Sequence, residues 1–326
     1  MSEQRSRVLV TGGSSGIGFE LARKFVDHDH DVVIAAYDIE KLEQAAELLR
    51  EQGQADVRTV AADLATEEGI YALHRELRNI GPIDIFCANA GVGSGGGDFS
   101  ETDLDQELEL IDLNVRGQVQ LTKLIVRDMI EAGQGGRILL TSSIAGIMPG
   151  PFEAVYAASK AFVRSFGEGL RSELSEKGIS VTVLMPGPTE TDFFHRANMD
   201  NTPAGQMAKD DPALVASQAF DALMADRHAV IGGGLKNKLQ TSAIRLFPDP
   251  VKARAHRAQT EPLDRTSERS GPSGAAVAGF MLAGAIAAAG TAAWLQSRRD
   301  EDEVDRRTRD RLGPHADFDV AGRTVT

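Results

Sequence analysis

The sequence predicts an α/β fold, a doubly wound parallel sheet of about seven strands with helices on both faces. Three observations carry that expectation. Short apolar runs alternate with longer segments of helical periodicity from residue 7 to about residue 231, the pattern of strands joined by crossover helices. The intervening segments are long enough for right-handed crossovers. No strand pattern recurs beyond about residue 250.

Taken in order, the strand candidates are 8–11, 32–36, 57–61, 83–88, 137–141, 180–185 and 228–231, each rich in Val, Ile, Leu or Ala. Between them, residues 18–26, 40–50, 104–130 and 154–177 carry apolar residues at helical spacing with polar residues between, so each has one face for the sheet and one for water. In such sheets ligands bind outside the carboxyl ends of the strands, and residues just after strands are where chemistry is sought.

The chain has 326 residues and a formal net charge of -13, an acidic balance that argues against a nucleic-acid-binding face. A single cysteine, Cys87, excludes an intramolecular disulfide and a multi-cysteine metal site, and no metal is expected. Cys87 reads as a buried strand residue, since no His or basic residue adjoins it. The amino terminus is short and polar, runs straight into an apolar strand and lacks a leader pattern, so a cytoplasmic catalytic domain is expected. Residues 1–250 are read as that domain. Residues 251–273, rich in Arg, His, Pro and Ser, read as a linker in which Lys252, Arg254, His256 and Arg257 are solvated or, beside a membrane, touch anionic lipid. Residues 274–297 read as an Ala/Gly-rich hydrophobic helix, uncharged over 275–295. As a helix, the uncharged stretch 275–295 would span about 31 Å, close to a bilayer's hydrocarbon thickness. Trp294, Arg298 and Arg299 fit a membrane edge, and a soluble Ala-rich helix or an oligomer contact is the other reading. Residues 298–326 read as a charged, disordered tail.

The turn Thr11-Gly12-Gly13-Ser14-Ser15-Gly16-Ile17-Gly18 lies between the first strand and the first helix. Gly12 permits a tight turn, Gly16 lets the backbone approach a pyrophosphate and Gly18 allows close helix packing. The free N–H groups and positive helix end attract phosphate, with Ser14, Ser15 and Ile17 in the same turn. Tyr156 and Lys160 are four apart on a helix and share a face. An ammonium beside a phenol favours the phenolate and brings the group nearer to neutrality, where it exchanges a proton with a substrate oxygen. Ser143 follows the fifth strand at its carboxyl end, where its hydroxyl can hold that oxygen against Tyr156.

With Asp63-Leu64 after the third strand, Asn89-Ala90-Gly91 after the fourth, Asn114, Ser142-Ser143, the Tyr156 to Lys160 stretch and Pro186-Gly187 followed by Thr189 and Thr191, the chain strongly resembles the short-chain dehydrogenase/reductase family. The match runs from residue 7 to about residue 246 in the family's order and spacing. The resemblance implies a Rossmann-like fold and an NAD(P)-dependent oxidoreductase. It makes Asn114, Ser143, Tyr156 and Lys160 the catalytic tetrad: Tyr156 as acid or base, Ser143 polarising the carbonyl, Lys160 on the nicotinamide ribose, Asn114 anchoring a water relay. It also implies that Asp63 meets the adenine, that 89–91 flanks the cofactor and that Pro186, Gly187, Thr189 and Thr191 contact its carboxamide end.

By the same resemblance the NAD-type acid falls at Ala36 and the NADP-type Arg at Tyr37, while Ser15 stands where many NADP users carry a basic residue. NAD versus NADP stays open, and Asp38 is either a ribose contact or a helix cap. The segment 192–211, with Phe193, Phe194, Met199 and Met207, falls where the family has a lid, or else packs a short helix onto the core; 94–97 reads as a flexible glycine-rich connection. A homodimer or homotetramer pairing through 104–130 and 154–177 is implied by resemblance alone. The expected partner is a small-molecule carbonyl or alcohol. The competing function is a catalytically idle NAD(P)-binding sensor or scaffold, to which an intact Tyr-Lys pair would be superfluous.

Overall fold

In the computed structural model, which describes residues 5–267, each apolar run becomes a strand of one sheet. The strands are β1 (Arg7–Thr11), β2 (Asp31–Ala36), β3 (Val57–Ala61), β4 (Ile85–Ala88), β5 (Gly136–Thr141), β6 (Ile179–Pro186) and β7 (Ala229–Gly232). They lie in the order β3-β2-β1-β4-β5-β6-β7, and every neighbouring pair is parallel. Strand order reverses between β1 and β4, which opens the ligand crevice of doubly wound sheets at that point.

The helices are α1 (Gly16–Val26), α2 (Ile39–Arg50), α3 (Glu67–Ile80), α4 (Leu104–Ile111), α5 (Gln118–Ala132), α6 (Ala154–Leu174), α7 (Phe193–Arg196), α8 (Pro203–Gln206), α9 (Pro212–Met224), α10 (Leu235–Ile244), α11 (Asp249–Thr260) and α12 (Leu263–Ser267). Alternation along the strands feeds two apolar clusters. Val8 and Val10 pack with Leu21 and Phe25 of α1, Leu42 of α2 and Phe220 of α9. Leu9, between them, faces the other way toward Leu73 of α3, Ile125 of α5 and Val163 of α6. Coverage on both faces is why the strands read as continuous apolar runs in the sequence.

Two expectations are corrected. The helix expected over 104–130 is broken by a π-helical turn at Asp112–Gly117. Asn114, fully buried in that turn, is held by the backbone of Val92, and a side chain at Gly117 would meet Leu64 O at 2.2 Å. A local widening sets this residue toward the strand edge, a common use of π turns. The linker expected over 251–273 is, as far as it is described, α11 and α12, with His256 and Thr260 buried. His256 and Thr260 are spent on hydrogen bonds to Glu153 and Pro151 rather than on water.

The helix expected at 274–297 and the tail at 298–326 lie outside the described residues. Among the described residues no helix is long and apolar enough to cross a membrane.

Candidate active site

The strand-to-helix turn after β1 depends on missing side chains. Gly12 (φ +65°) donates its N–H to Ala35 O at 2.7 Å, and a Cβ there would stand 3.0 Å from Ala90 Cα. A Cβ on Gly18 would fall 2.1 Å from Gly12 O, so helix and turn are packed backbone to backbone. Gly16 (φ +56°) lies against Thr191, which its Cβ would meet at 2.8 Å. Ser15 precedes α1 without capping it, and the first turn holds no acid. An uncapped helix start over bare glycine backbone fits a dinucleotide's phosphates.

The carboxyl ends of β1, β4 and β5 are tied together by three side chains. The Thr11 hydroxyl accepts from Asn89 N and Ala90 N, both at 3.1 Å, and Asn89 Oδ1 accepts from Thr141 Oγ1 at 3.3 Å. Gly91 comes next, and a Cβ on it would lie 2.9 Å from Asn114 Oδ1 and 3.1 Å from Lys160 Nζ. The bare glycine therefore separates those two groups. Asn114 Nδ2 donates to Val92 O at 2.8 Å and Ser159 Oγ at 3.2 Å, while its Oδ1 accepts from Val92 N at 3.0 Å.

Ser143 caps a short 3-10 turn, its Oγ accepting from Ala145 N at 3.1 Å. Lys160 Nζ donates to Thr141 O at 3.1 Å and lies 5.8 Å from the centre of the Tyr156 ring. Both Tyr156 and Lys160 are buried. Burial lowers the Lys160 ammonium from 10.5 to about 8. The Tyr156 phenol moves in the opposite sense to the sequence expectation. Burial pushes it above the ordinary range, the Glu153 carboxylate pushes it further, and only a hydrogen bond from Ser143 pulls it down. In the protein alone, removing the phenol from water outweighs an ammonium nearly 6 Å away.

One cleft of about 670 Å³ joins these groups. Gly12, Ser14, Ser15, Gly16 and Ile17 line it from the turn, Asp63 and Leu64 from the β3 edge, Asn89, Ala90 and Gly91 from the β4 edge, and Pro186, Gly187, Thr189 and Thr191 from the β6 edge; Ser143, Tyr156 and Lys160 stand on its wall. Gly18 and Asn114 sit behind that lining, Gly18 against the turn and Asn114 beside Gly91. Asp38 also lines it, but its Oδ1 accepts from Glu40 N and Lys41 N at 3.1 Å, so it caps α2. Beyond Tyr156, Phe193 approaches within 5.2 Å ring to ring, and Phe194, Met199 and Ala204 form a small cluster that both packs α7 and α8 and faces the cleft.

Sequence reasoning missed several residues here: Thr11 and Thr141, which tie the strand ends, and Glu153, His256, Gln259 and Thr260, which line the cleft. Thr11 and Thr141 end apolar runs, a position that signals strand-edge polar contacts. Among the described residues there is no metal-binding cluster of His, Cys, Asp and Glu.

The family model for short chain dehydrogenase matches residues 6–202. The chain belongs to the short-chain dehydrogenases. It is 32% identical to sulfoacetaldehyde reductase 2 of Chromohalobacter salexigens over 66% of this chain and 85% of that protein. It is 34% identical to the mouse dehydrogenase/reductase SDR family member 7B over 66% of this chain and 69% of the relative. Among solved structures, a short-chain dehydrogenase from Sphingobium yanoikuyae in complex with NADPH superposes with a TM-score of 0.65 at 30% identity, covering 69% of this chain and 87% of that one. The 3-ketoacyl-(acyl-carrier-protein) reductase from Brucella melitensis, complexed with NADH, gives 0.62 at 28% identity, with 72% and 100% covered. As a short-chain dehydrogenase the protein is an oxidoreductase with the seven-stranded doubly wound sheet expected from its sequence.

Proposed function

We propose that this protein is an NAD(P)-dependent reductase of a carbonyl compound, working reversibly on the corresponding alcohol. The carrying observation is the buried Tyr156–Lys160 pair, which shares one cleft with the glycine turn. The nicotinamide, when bound, supplies or takes up the hydride. Its phosphates fit the uncapped start of α1 over Gly12, Gly16 and Gly18, and Lys160 is the group to hold the ribose. Tyr156, kept protonated by burial and by Glu153, gives its proton to the substrate oxygen as negative charge develops there, while Ser143 donates a hydrogen bond to that oxygen. Support for a nicotinamide cofactor comes from relatives solved with NADPH and with NADH, which also leaves the choice between them open.

Phe193, Phe194 and Met199 give the cleft an apolar wall. An apolar group beside the carbonyl suits them. Screening ketones, aldehydes and alcohols with both cofactors tests the proposal, and Tyr156→Phe should keep cofactor binding while losing turnover by about a thousandfold or more. Undiminished turnover removes Tyr156 from the mechanism; tight cofactor binding with no turnover of any substrate favours the sensor reading.

Pairing with a second copy is supported by Leu104, Leu108 and Ile111 of α4, Ile130 of α5 and Phe162 of α6, large apolar side chains left exposed in the single chain. Sedimentation of the full chain reads its oligomeric state directly.

A further inference from the structure

The loop between the 3-10 turn and α6 meets the helix α11 at the wall of the cleft. Glu153 stands three residues before Tyr156, immediately ahead of α6, and is buried. His256 of α11 is buried too, with Nε2 2.6 Å from Glu153 Oε1. Both line the same cleft as Tyr156. The surrounding contacts hold the pair in register. Thr260, one turn along α11, donates from Oγ1 to Pro151 O at 2.8 Å, and the Arg257 guanidinium lies 5.0 Å from the Phe152 ring centre. Phe152 itself has φ +62°, a left-handed conformation that is a genuine outlier for a bulky residue. Strain of this kind persists where neighbours over-determine the backbone, and such positions cluster at active sites. On the other side, a Cβ at Gly95 would stand 3.2 Å from Glu153 Cβ, so the carboxylate's stem is wedged between the glycine-rich loop and α11.

We propose that Glu153 and His256 form a buried acid–imidazole pair that serves as a positioning element for Tyr156, and that α11 is thereby part of the active site. The inference rests on the reductase reading given above. A buried carboxylate is costly unless it is paired, and a second ionisable group three residues from the proton donor serves no purpose in packing that an apolar residue would not serve better. His256 fixes where that carboxylate sits. The carboxylate in turn disfavours a phenolate and keeps the proton on Tyr156 for delivery. Other charged groups act on the same space: Lys160 from the phenol's own helix, Arg196 at the end of α7, Glu109 from α4, and Asp63 at the cofactor end all line the cleft. Among the described groups that shift the phenol, Glu153 is the only carboxylate.

The test uses the full chain and the carbonyl substrate turned over best in a screen with both cofactors. kcat and KM for substrate and cofactor are measured across pH for the parent, Tyr156→Phe, Glu153→Gln, His256→Ala and His256→Gln. Removing the carboxylate charge relieves the pressure against phenolate, so in Glu153→Gln the alkaline limb that Tyr156 sets, above the one Lys160 sets near 8, should move to lower pH by about one unit, with cofactor affinity unchanged. His256→Ala should lower kcat about tenfold at unchanged cofactor KM, and His256→Gln, which returns an N–H to Glu153, should restore most of it. If His256→Ala fails to fold, Glu153→Gln and His256→Gln carry the result. A Glu153→Gln profile that overlays the parent, with Tyr156→Phe inactive, overturns the pair's role and leaves the reductase reading standing. Turnover retained in Tyr156→Phe, or no turnover across the screen, overturns the reductase reading and this inference with it.

Discussion

Lys160→Met separates the chemistry of the active site from the stability of the fold. Lys160 is buried on the cleft wall, and burial brings its ammonium from 10.5 down to about 8. At about 1.4 kcal/mol per pH unit, keeping the ammonium charged in the fold costs about 3 kcal/mol at neutral pH relative to the unfolded chain. Methionine fills nearly the same volume without a charge, but gives up the hydrogen bond to Thr141 O, worth about 1 kcal/mol. Lys160→Met should therefore be about 2 kcal/mol more stable than the parent at about pH 7 and should have no measurable turnover. The sign of the pH dependence comes from the lowered value in the fold. Below about 8 the lysine is charged in both states and the whole penalty is present. Between about 8 and 10.5 it is neutral in the fold and charged in the unfolded chain, so the penalty shrinks as pH rises and is gone above 10.5. Urea unfolding of parent and variant at about pH 7 and about pH 10 reads this directly. A variant less stable than the parent at neutral pH, or an advantage equal at both pH values, refutes the reasoning.

Gly18→Ala forces a Cβ to 2.1 Å from Gly12 O, so cofactor binding, tracked by nicotinamide fluorescence, should weaken by at least about tenfold even in a folded variant. Asp38→Ala removes the cap of α2 and should cost about 1 kcal/mol in urea unfolding; a change in preference between NADH and NADPH would add a ribose contact to the cap. Cys87 is buried and its thiol is pushed well above the ordinary range, so iodoacetamide at about pH 8 should leave the native chain unlabelled and modify it only in denaturant. Native labelling at an unfolded-like rate would contradict the enclosure of β4.

The legibility of each feature depends on the distance along the chain over which it is encoded. The strands, the glycine turn and the Tyr156–Lys160 pair are each written within a few consecutive residues, so periodicity and spacing expose them. Asn114 lay in a legible motif, but the π turn that aims it did not, because one extra residue per turn leaves the apolar spacing of 104–130 almost unchanged. The phenol's upward shift was hidden for another reason. Spacing shows that Lys160 shares its face, whereas the dominant cause is enclosure by chain that arrives from elsewhere. The Glu153–His256 contact spans 103 positions. The buried residues of α11 are His256 and Thr260, both polar, so the helix turns no apolar stripe toward the core and its composition resembles a solvated linker. The two buried side chains of α11 are held by hydrogen bonds, and these polar groups sit where leaving them unpaired would cost most, against the wall of a reaction cleft. That placement is the physical reason to treat residues 249–260 as belonging to the chemistry of this short-chain dehydrogenase rather than as a spacer.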